Sequence, residues 1–379
     1  MRVLLVTNDF PPKVGGIQVV QAELFREFAE DELCVLASGH PGAPEYDAQL
    51  PYRVERLSSK TMLPVPRVVR RFEKIADSFL PDLVIFGSVL PLSLLAPVAS
   101  RKNIPFVSMA YGADISVPGR LPVVASLQKR VFSRASGVVA LGPWVAGEVQ
   151  RAGTGRTNPE MLVVCPGVDT NEFCPGDKTA ARLSLGLHPD RPTVSSLSRL
   201  VPRKGMHLLF DAVEDLLPAF PDLQVVIGGT GRSERRLQER AAGSALAGVV
   251  RFFGRVPDEQ IADFYRAADV FAMLCHDRWR GLEAEGFGIV FVEASACGVP
   301  VVAGRSGGAG DAVEDGVTGR VVNARDTAEV VQALGAYLDN PVLGAQVGEA
   351  GRSRVEEVFR WDAQRASFVD WLHRHFSSL

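Results

Sequence analysis

The stretch Glu285-Gly-Phe-Gly-Ile-Val-Phe-Val-Glu293 places two carboxylates on either side of seven residues that include two glycines. Gly286 and Gly288 disfavour a helix interior, because each glycine costs about 1 kcal/mol there relative to alanine, so we expect Glu285 on a tight loop. Glu293 begins a helix-like run, and the apolar segment 299–303 after it is expected to be a buried strand. Both acids are therefore predicted near the start of a helix between two strands, where open α/β folds bind ligands. Two solvated surface acids are the alternative on this stretch alone.

The composition is that of a globular chain with room for two domains. The 379 residues exceed the size at which a single hydrophobic core usually stops growing. Hydrophobic residues make up 46% and charged residues 22%, which excludes an intrinsically disordered chain. The net charge of −3 argues against a general nucleic-acid-binding protein, and we predict no nucleic-acid partner.

We expect neither a secretory signal nor a membrane span. Only four apolar residues, 3–6, follow Met1 and Arg2, too few for the core of a signal peptide. Prolines and a glycine interrupt the uncharged run 83–100, so we expect a strand, a loop and a short helix there. The five cysteines form no CxxC pair, which favours a reduced, cytoplasmic protein.

Short apolar segments alternate with helix-like stretches along the chain, which predicts parallel sheets joined by right-handed crossovers. The predicted strands are 3–7, 33–36, 83–86, 106–108 and 137–140, then 193–197, 223–228, 249–253, 270–273 and 299–303, with helices predicted at 17–30 and 121–134 among others. The pattern restarts near residue 190. We therefore predict an α/β protein with two doubly wound domains, at 1–170 and 171–358, followed by an aromatic, amphipathic helix in the tail 359–379.

Two glycine-rich turns follow predicted strands. In Pro11-Pro-Lys-Val-Gly-Gly16, Gly15 and Gly16 would let backbone N–H groups approach an anion at a helix N-terminus. The second turn, 228–231, contains Gly229 and would let a nucleotide lie close to the backbone. The first matches neither GxGxxG nor a P-loop, and a tight turn without a ligand is its alternative.

Three cations follow the first strand of the second domain, in Ser198-Arg-Leu-Val-Pro-Arg-Lys-Gly205. Arg199, Arg203 and Lys204 could bind a diphosphate, the arginines through forked hydrogen bonds and the lysine as a point charge. A solvated basic loop is the alternative. Like the glycine-rich turns, this loop lies at a strand-to-helix transition, which favours a ligand site at that edge of the sheet.

Patterns for a metal ion or a nucleophile are weak. The sequence has no Asp-x-Asp pair, no HExxH and no Cys/His cluster, so we predict no metal and no cofactor apart from the substrates. Ser306 lies in a Gly-x-Ser-x-Gly pattern typical of hydrolases. Glycines rather than a clear helix follow it, however, and the candidate histidine, His373, lies in the tail.

Four segments together resemble the retaining GT-B glycosyltransferases that carry the E-x7-E motif and use nucleotide-sugar donors. They are 6–12, 197–205, 285–295 and 303–309, and the resemblance covers essentially the whole chain. It is closest to the actinobacterial GDP-mannose-dependent mannosyltransferases that extend phosphatidylinositol monomannoside. The resemblance implies two Rossmann-like domains facing a central cleft, with the acceptor on the first, the nucleotide sugar on the second, and the last helix returning to the first.

The resemblance also implies roles at the donor. Gly16 would lie beside the donor phosphates, and Arg199 and Lys204 would neutralise the leaving diphosphate. Glu285 would contact hydroxyls of the transferred sugar, and Glu293 would hold the ribose. The full predicted donor set is Gly15, Gly16, Arg199, Lys204, Gly229, Glu285, Gly286, Phe287, Gly288, Ile289 and Glu293, with Gly307 and Gly308 at its border.

Charge development during transfer agrees with these roles. Breaking a glycosyl–phosphate bond builds negative charge on the diphosphate, so fixed cations there stabilise the transition state more than the ground state. Two acids are also typical of glycosidases, but the basic loop and the glycine turns have no role in that reaction.

One segment departs from the family pattern. Ala110-Tyr-Gly-Ala-Asp114 stands where the family usually has Thr-His-Gly-His-Glu, so Tyr111 and Ala113 replace both histidines. A histidine contact to the sugar or acceptor is therefore in doubt. Asp114, or the backbone around Gly112, is the candidate substitute. Asp114 thus joins Glu285, Arg199 and Lys204 as a predicted catalytic residue, and Tyr111 is assigned to the acceptor side.

A basic predicted helix in the first domain bears on the acceptor. Arg67, Arg70 and Arg71 alternate there with apolar residues, so the helix could lie on an anionic membrane surface or bind a phosphoinositide head group. A solvated helix with one apolar face in the core is the alternative. Together with the resemblance, this predicts an anionic lipid acceptor and a peripheral protein at the cytoplasmic face of the membrane.

The predicted function is retaining transfer of a hexose, mannose from GDP-mannose, to a glycolipid such as phosphatidylinositol mannoside. Several alternatives remain open from the sequence: another nucleotide sugar or acceptor, a GT-B-type sugar-nucleotide epimerase, and an inactive nucleotide-sugar binder. The oligomeric state is also open.

Overall fold

The computed structural model of the chain describes residues 1–116, 122–153 and 159–377. The chain forms two compact units, Met1–Pro166 with Trp361–Leu379, and Gly167–Arg360. We call them the N-terminal unit and the C-terminal unit. Each contains one parallel sheet with helical crossovers, so the predicted α/β fold with two doubly wound domains is confirmed.

The N-terminal unit is built on a seven-stranded parallel sheet in the order β3-β2-β1-β4-β5-β6-β7. Its strands are β1 Val3–Thr7, β2 Leu33–Ser38, β3 Arg53–Leu57, β4 Leu83–Phe86, β5 Phe106–Ala110, β6 Gly137–Leu141 and β7 Glu160–Val164. Every residue of β1, β2 and β4 is buried. Continuous apolar strands of this kind are expected where helices cover both faces of a parallel sheet.

Eight helices of the described residues belong to this unit. They are α1 Gly16–Leu24, α2 Ala43–Asp47, α3 Pro66–Phe79, α4 Ala96–Arg101, α5 Ala113–Ser116, α6 Pro122–Phe132, α7 Pro143–Ala152 and α16 Trp361–Phe376. The helix predicted at 17–30 ends early, at Leu24, because the chain turns there to bury Phe25 and Phe28. The first residue of the helix predicted at 121–134 lies outside the described residues.

The final helix, α16, packs on the N-terminal unit. The Phe368 ring meets the edge of the Phe25 ring with centroids 5.3 Å apart, and Arg365 forms an ion pair with Glu23 at 2.7 Å. A Cβ atom at Gly137 would lie 2.7 Å from the Trp371 ring. Glycine at that position therefore lets the indole lie directly against β6.

The C-terminal unit has a six-stranded parallel sheet in the order β10-β9-β8-β11-β12-β13. Its strands are β8 Thr193–Leu197, β9 Gln224–Gly228, β10 Val250–Gly254, β11 Val270–Met273, β12 Val301–Gly304 and β13 Gly319–Val322. Its helices are α8 Lys178–Ser184, α9 Met206–Leu216, α10 Glu234–Ala242, α11 Ile261–Arg266, α12 Ile289–Ala296, α13 Ala309–Ala312, α14 Thr327–Asp339 and α15 Pro341–Val358.

Three strands were not predicted, and all three lie at sheet edges. β3 and β7 are the two edges of the first sheet, and β13 is one edge of the second. Both strands of the first sheet contain exposed residues, and β13 is only partly buried. β3 and β13 contain charged residues and lack the longer apolar run of the inner strands, whereas β7 has such a run at 161–164 and was missed all the same.

The segment between the two sheets is held by two arginines of the C-terminal unit. Arg352 of α15 donates to the carbonyls of Thr170 and Phe173 and to that of Ala296 at the end of α12, at 2.7–3.1 Å. Arg266 of α11 donates to the carbonyls of Glu172 and Cys174. Residues 170–174 therefore belong to the C-terminal unit, and the first unit ends at Pro166, slightly before the predicted boundary at 170.

Among the described residues, no helix is both long and apolar enough to cross a membrane. The uncharged run 83–100 forms β4, a short 3-10 turn and α4, as expected from its prolines. The same ranges contain no group of three His, Cys, Asp or Glu side chains placed to hold a metal ion.

Candidate active site

The basic loop of the C-terminal unit forms a tight turn between β8 and α9. Arg203 and Lys204 lie on a 3-10 turn at Pro202–Lys204, and Gly205 follows with φ +73°. A Cβ atom at Gly205 would lie 1.9 Å from the carbonyl oxygen of Leu274. Only glycine fits both the backbone conformation and this contact, so the loop is fixed against the end of β11.

Glu285 is buried against two of these cations. Its Oε2 accepts hydrogen bonds from Arg203 Nη1 and from Lys204 Nζ, both at 2.7 Å. Glu285 is 7% exposed and Lys204 is 8% exposed, so the charges interact with little solvent screening. Burial alone would raise the pKa of Glu285, but the charges of Lys204 and Arg203 outweigh it and hold that pKa below its ordinary value.

Arg203 is therefore the arginine that pairs with Glu285, whereas the sequence had singled out Arg199 and Lys204. Arg199 belongs to the same loop but its side chain is exposed. The loop contains three cations, and sequence spacing does not determine which of them turn toward the acid. The contact of Gly205 with β11 decides this, since it sets the direction of the two residues before it.

The backbone of Glu285 is held by the turn after β12. Ser306 Oγ accepts a hydrogen bond from the Glu285 N–H at 3.0 Å and donates to Asp277 Oδ1 at 2.6 Å. The N–H of Gly308 donates to the Glu285 carbonyl at 2.9 Å. Ser306 thus links the Asp277 loop to the acid, and its hydroxyl has no histidine partner among the described residues, as a hydrolase nucleophile would require.

Gly307 and Gly308 leave no space for side chains in this turn. A Cβ atom at Gly307 would lie 2.0 Å from the Glu285 carbonyl oxygen, and one at Gly308 would lie 2.1 Å from that of Gly286. The glycine pair therefore has a steric reason within the protein, independent of any ligand at the border of a donor pocket.

Glu293 lies in the middle of α12 rather than at its start, so that prediction was wrong. The helix begins at Ile289, because Gly288 adopts a left-handed conformation with φ +89° just before it, and Glu293 is the fifth helical residue. Its Oε2 accepts a hydrogen bond from the Tyr265 hydroxyl at 2.5 Å. Burial raises the pKa of Glu293 to about 7; the Tyr265 hydrogen bond opposes this, and the charge of Glu172 adds to it.

The segment between the two acids is divided between core and surface. The Phe287 ring is buried and meets the edge of the Phe359 ring with centroids 5.6 Å apart, so its side chain faces the core rather than a ligand. Gly286 and Ile289 are partly exposed. The Phe291 N–H donates to the Gly288 carbonyl at 2.9 Å, and the two N–H groups before it at the start of α12 are of the kind that typically binds anions.

Gly229 is required by the packing of two loops. Its φ is +108°, and a Cβ atom there would lie 1.9 Å from the Ser198 carbonyl oxygen. The Leu200 N–H also donates to the Thr230 carbonyl at 2.8 Å. The glycine-rich turn after β9 therefore supports the basic loop directly.

In the N-terminal unit, Gly15 precedes α1 and Gly16 is the first helical residue. A Cβ atom at Gly15 would lie 2.5 Å from Gln18 Oε1, whereas one at Gly16 would have no neighbour within 4 Å. Nothing in the described protein therefore requires glycine at position 16.

Tyr111 and Asp114 hold loops together in the N-terminal unit. The Tyr111 hydroxyl is buried and accepts a hydrogen bond from Gln21 Nε2 at 2.7 Å. Asp114 accepts hydrogen bonds from the N–H groups of Tyr111 and Val89, at 2.9 and 3.3 Å. Burial raises the pKa of Asp114 to about 6 against these hydrogen bonds. The contacts account for both residues within the fold, and the Tyr111 hydroxyl faces the interior rather than an acceptor.

The basic helix α3 buries its apolar face. Val68, Phe72 and Ile75 pack in the core. Arg67 and Arg70 are exposed, whereas Arg71 forms an ion pair with Glu55 of β3. α3 therefore has one apolar face in the core, and the exposed arginines of its basic face remain accessible.

Two family models match the chain: glycosyl transferases group 1 over residues 177–354, and glycosyltransferase family 4 over residues 14–172. A protein of Mycolicibacterium smegmatis, named GDP-mannose-dependent alpha-(1-6)-phosphatidylinositol monomannoside mannosyltransferase, is 39% identical over 98% of both chains. A Corynebacterium glutamicum protein, named as the transferase for the monoacylated monomannoside, is 34% identical over 95% of both. The crystal structure of Anabaena Alr3699/HepE in complex with UDP and glucose has a TM-score of 0.82 over the full length of both chains at 23% identity.

Proposed function

This chain belongs to the group 1 glycosyltransferases of GT-B fold, and we propose that it transfers mannose from GDP-mannose, with retention, to a phosphatidylinositol mannoside. The relatives from M. smegmatis and C. glutamicum, whose names specify this donor and acceptor, match nearly the whole chain. The similarity therefore extends over both units rather than over the donor-binding unit alone.

The cluster of Glu285, Arg203 and Lys204 is the main observation that supports binding of a nucleotide-sugar donor. One buried and one partly exposed cation at the carboxyl end of β8 suit a leaving diphosphate, and the N–H groups at the start of α12 add further donors. The carboxylate fixes both cations before the reaction begins. Such prearranged charge stabilises the diphosphate as the glycosyl bond breaks, without a reorganisation cost.

Each donor residue then has a distinct role. Glu285, held by Ser306 and by the cations, accepts hydrogen bonds from hydroxyls of the transferred hexose with Oε1, which has no partner in the described ranges. Glu293 accepts from the ribose hydroxyls, and the exposed Arg199 neutralises the diphosphate from the surface side of the loop. No step requires an enzyme nucleophile. The leaving phosphate takes the proton of the acceptor hydroxyl on the same face of the sugar.

The acceptor is assigned to the N-terminal unit. Arg67 and Arg70 are exposed on α3, and Leu63 and Val65 are 51% and 45% exposed just before it. Adjacent cations and apolar side chains are typical of surfaces that bind anionic lipid. We assign this surface to the cytoplasmic face of the membrane, with the protein bound peripherally.

The donor and acceptor are tested together with purified full-length protein. GDP-, UDP- and ADP-sugars are each incubated with phosphatidylinositol, its monomannoside or no acceptor, and the products are identified by mass spectrometry. Transfer from GDP-mannose to the monomannoside is expected. An altered sugar without acceptor would support an epimerase instead, and nucleotide binding without any turnover would support an inactive binder.

Gly16→Ala tests the approach of the donor phosphates to α1. The added methyl group meets no protein atom, and alanine is favoured over glycine in a helix by about 1 kcal/mol, so the protein is expected to keep its melting temperature. The KM for the donor is expected to rise by roughly tenfold, because the methyl group occupies the space of a close phosphate contact. Gly147→Ala in α7 of the same unit is the matched control; an unchanged KM in Gly16→Ala would contradict this placement.

The lipid surface is tested by flotation with phosphatidylcholine vesicles that contain or lack phosphatidylinositol. Arg67→Ala combined with Arg70→Ala is expected to weaken binding to the anionic vesicles by at least about tenfold, since each basic residue near the surface contributes about 1 kcal/mol. Arg235→Ala combined with Arg255→Ala removes the same charge from the C-terminal unit. An equal loss of vesicle binding in the two double variants would show that binding depends only on net charge and not on the α3 surface.

A further inference from the structure

The contact between Tyr265 and Glu293 joins two helices of the C-terminal unit. Tyr265 lies on α11 and is fully buried, and its hydroxyl donates to Oε2 of Glu293 on α12 at 2.5 Å. We propose that Tyr265 is a positioning residue for Glu293, which fixes one carboxylate oxygen so that the other can accept hydrogen bonds from the vicinal diol of the donor nucleotide. This inference rests on the proposed function of the site.

The position of the Tyr265 hydroxyl is set by aromatic packing. Its ring lies between Phe173, with centroids 6.1 Å apart, and Phe271, with centroids 5.3 Å apart. Because the ring cannot rotate away without disturbing both neighbours, the hydroxyl stays directed at Glu293. Oε1 of Glu293 receives no hydrogen bond within the described ranges, so it remains available to a ligand.

The charge on Glu293 has little other support. The groups that act on it are Tyr265 from α11 and Glu172 from the segment before α8, and the thiol of Cys297 lies near it at the end of its own helix. None of these is a cation, in contrast to the partners of Glu285. A diol donates hydrogen bonds and therefore requires an acceptor. The Tyr265 hydrogen bond, which favours the ionised carboxylate, thus also favours nucleotide binding.

The burial of Glu293 is expected to make the binding of GDP depend on pH. Glu293 has a pKa of about 7, so the carboxylate takes up a proton as the pH falls through neutrality. The affinity for GDP is expected to decrease over the same range. Removing the Tyr265 hydroxyl raises the pKa further, so this decrease should begin at higher pH in Tyr265→Phe.

The test is calorimetric binding of GDP to the full chain at pH values on both sides of 7, with kcat and KM for GDP-mannose measured in parallel. Tyr265→Phe is expected to bind GDP about tenfold more weakly at pH 7, with the transition displaced to higher pH and kcat much less affected. Tyr337→Phe is the matched control, because that tyrosine is also buried in the C-terminal unit and donates to no carboxylate in the described part of the chain. Equal GDP affinity in Tyr265→Phe and the parent at every pH would overturn the inference.

A second variant covers the case in which Tyr265→Phe does not fold. Glu293→Gln cannot ionise, so the pH dependence of its GDP affinity should be reduced to the part that comes from the terminal phosphate of GDP, and a parent-like pH dependence would overturn the inference. Turnover separates this inference from the proposed function. A protein that binds GDP with the expected pH dependence but transfers no hexose would refute the function and leave the role of Tyr265 intact.

Discussion

Glu285 and Glu293 lie on one short segment of the C-terminal unit, yet their surroundings have opposite electrostatic effects. Glu285 accepts hydrogen bonds from two cations, which hold its pKa below the ordinary value despite burial. Glu293 accepts one from a neutral tyrosine, and burial raises its pKa to about 7. Two identical side chains separated by one turn-and-helix segment therefore have different protonation states near neutral pH.

The difference shows that the partner, and not the degree of burial alone, sets the charge of a buried acid. A Glu285 that is ionised at neutral pH suits a position beside developing charge on the transferred sugar. A Glu293 that titrates near neutrality suits reversible recognition of hydroxyl groups. The two acids can be compared directly because Glu→Gln keeps the shape of each side chain while it removes the charge.

The largest expected effect is on turnover. Glu285→Gln removes the charge that holds Arg203 and Lys204, so kcat is expected to fall by roughly 10²–10³-fold, as for other losses of prearranged electrostatic stabilisation. Glu293→Gln is expected to raise the KM for GDP-mannose by about tenfold with a smaller change in kcat. Steady-state kinetics of both variants at pH 8 provides the measurement. A comparable loss of kcat in both variants would remove the functional distinction between the two acids.

The next effect is on the stability of the folded protein. At pH 8, Glu→Gln is expected to stabilise the protein at position 293 and to destabilise it at position 285. The pKa of Glu293 is raised in the folded state, so its stabilising contribution is present below the ordinary value of 4.5 and is lost as the pH rises through about 7. Glu293→Gln should therefore be more stable than the parent at pH 8, by on the order of 3 kcal/mol, and nearly equal to it at pH 4.

The contribution of Glu285 to stability should depend on pH in the opposite direction. Its pKa is lowered in the folded state, so its contribution is present above the ordinary value and is lost in acid as the pH falls through the folded pKa. Glu285→Gln should be less stable than the parent at pH 8. Thermal unfolding of parent and both variants at pH 4 and pH 8 tests both signs, and a Glu293→Gln variant that is less stable at pH 8 would contradict the comparison.

The smallest effect concerns the support of Glu285. Ser306→Ala removes both the acceptor for the Glu285 N–H and the donor to Asp277, and is expected to lower kcat/KM by about tenfold. Ser196→Ala on β8 is a matched control, because the Ser196 hydroxyl is buried and has no hydrogen-bond partner among the residues that the structure describes. Equal losses in the two variants would mean that Ser306 does not support Glu285 specifically.

Sequence reasoning predicted the inner strands well and the edges poorly. Val3–Thr7 and Thr193–Leu197 were predicted with the bounds that the structure has, because fully buried parallel strands are continuously apolar. Arg53–Leu57 was missed, because an edge strand carries charged residues that read as a loop.

The site was predicted in part. The basic loop and the glycine turns were recognised because each follows a strand, and the two acids because they flank a glycine-rich segment. Tyr265 was not, since it lies 28 residues from Glu293 and no local pattern connects them. Arg203 could not be separated from Arg199, because the backbone of a tight turn decides which side chain faces inward.

Almost no substitution is possible at Gly307 or Gly308. The carbonyl oxygens of Glu285 and Gly286 already fill the space where side chains would stand, so sterics eliminate substitutions there before any effect on chemistry arises. A descendant of this protein with a new donor preference must carry its changes elsewhere at the same edge of the sheet. The Trp279 side chain, six residues before Glu285, is 61% exposed and leaves more space for such changes.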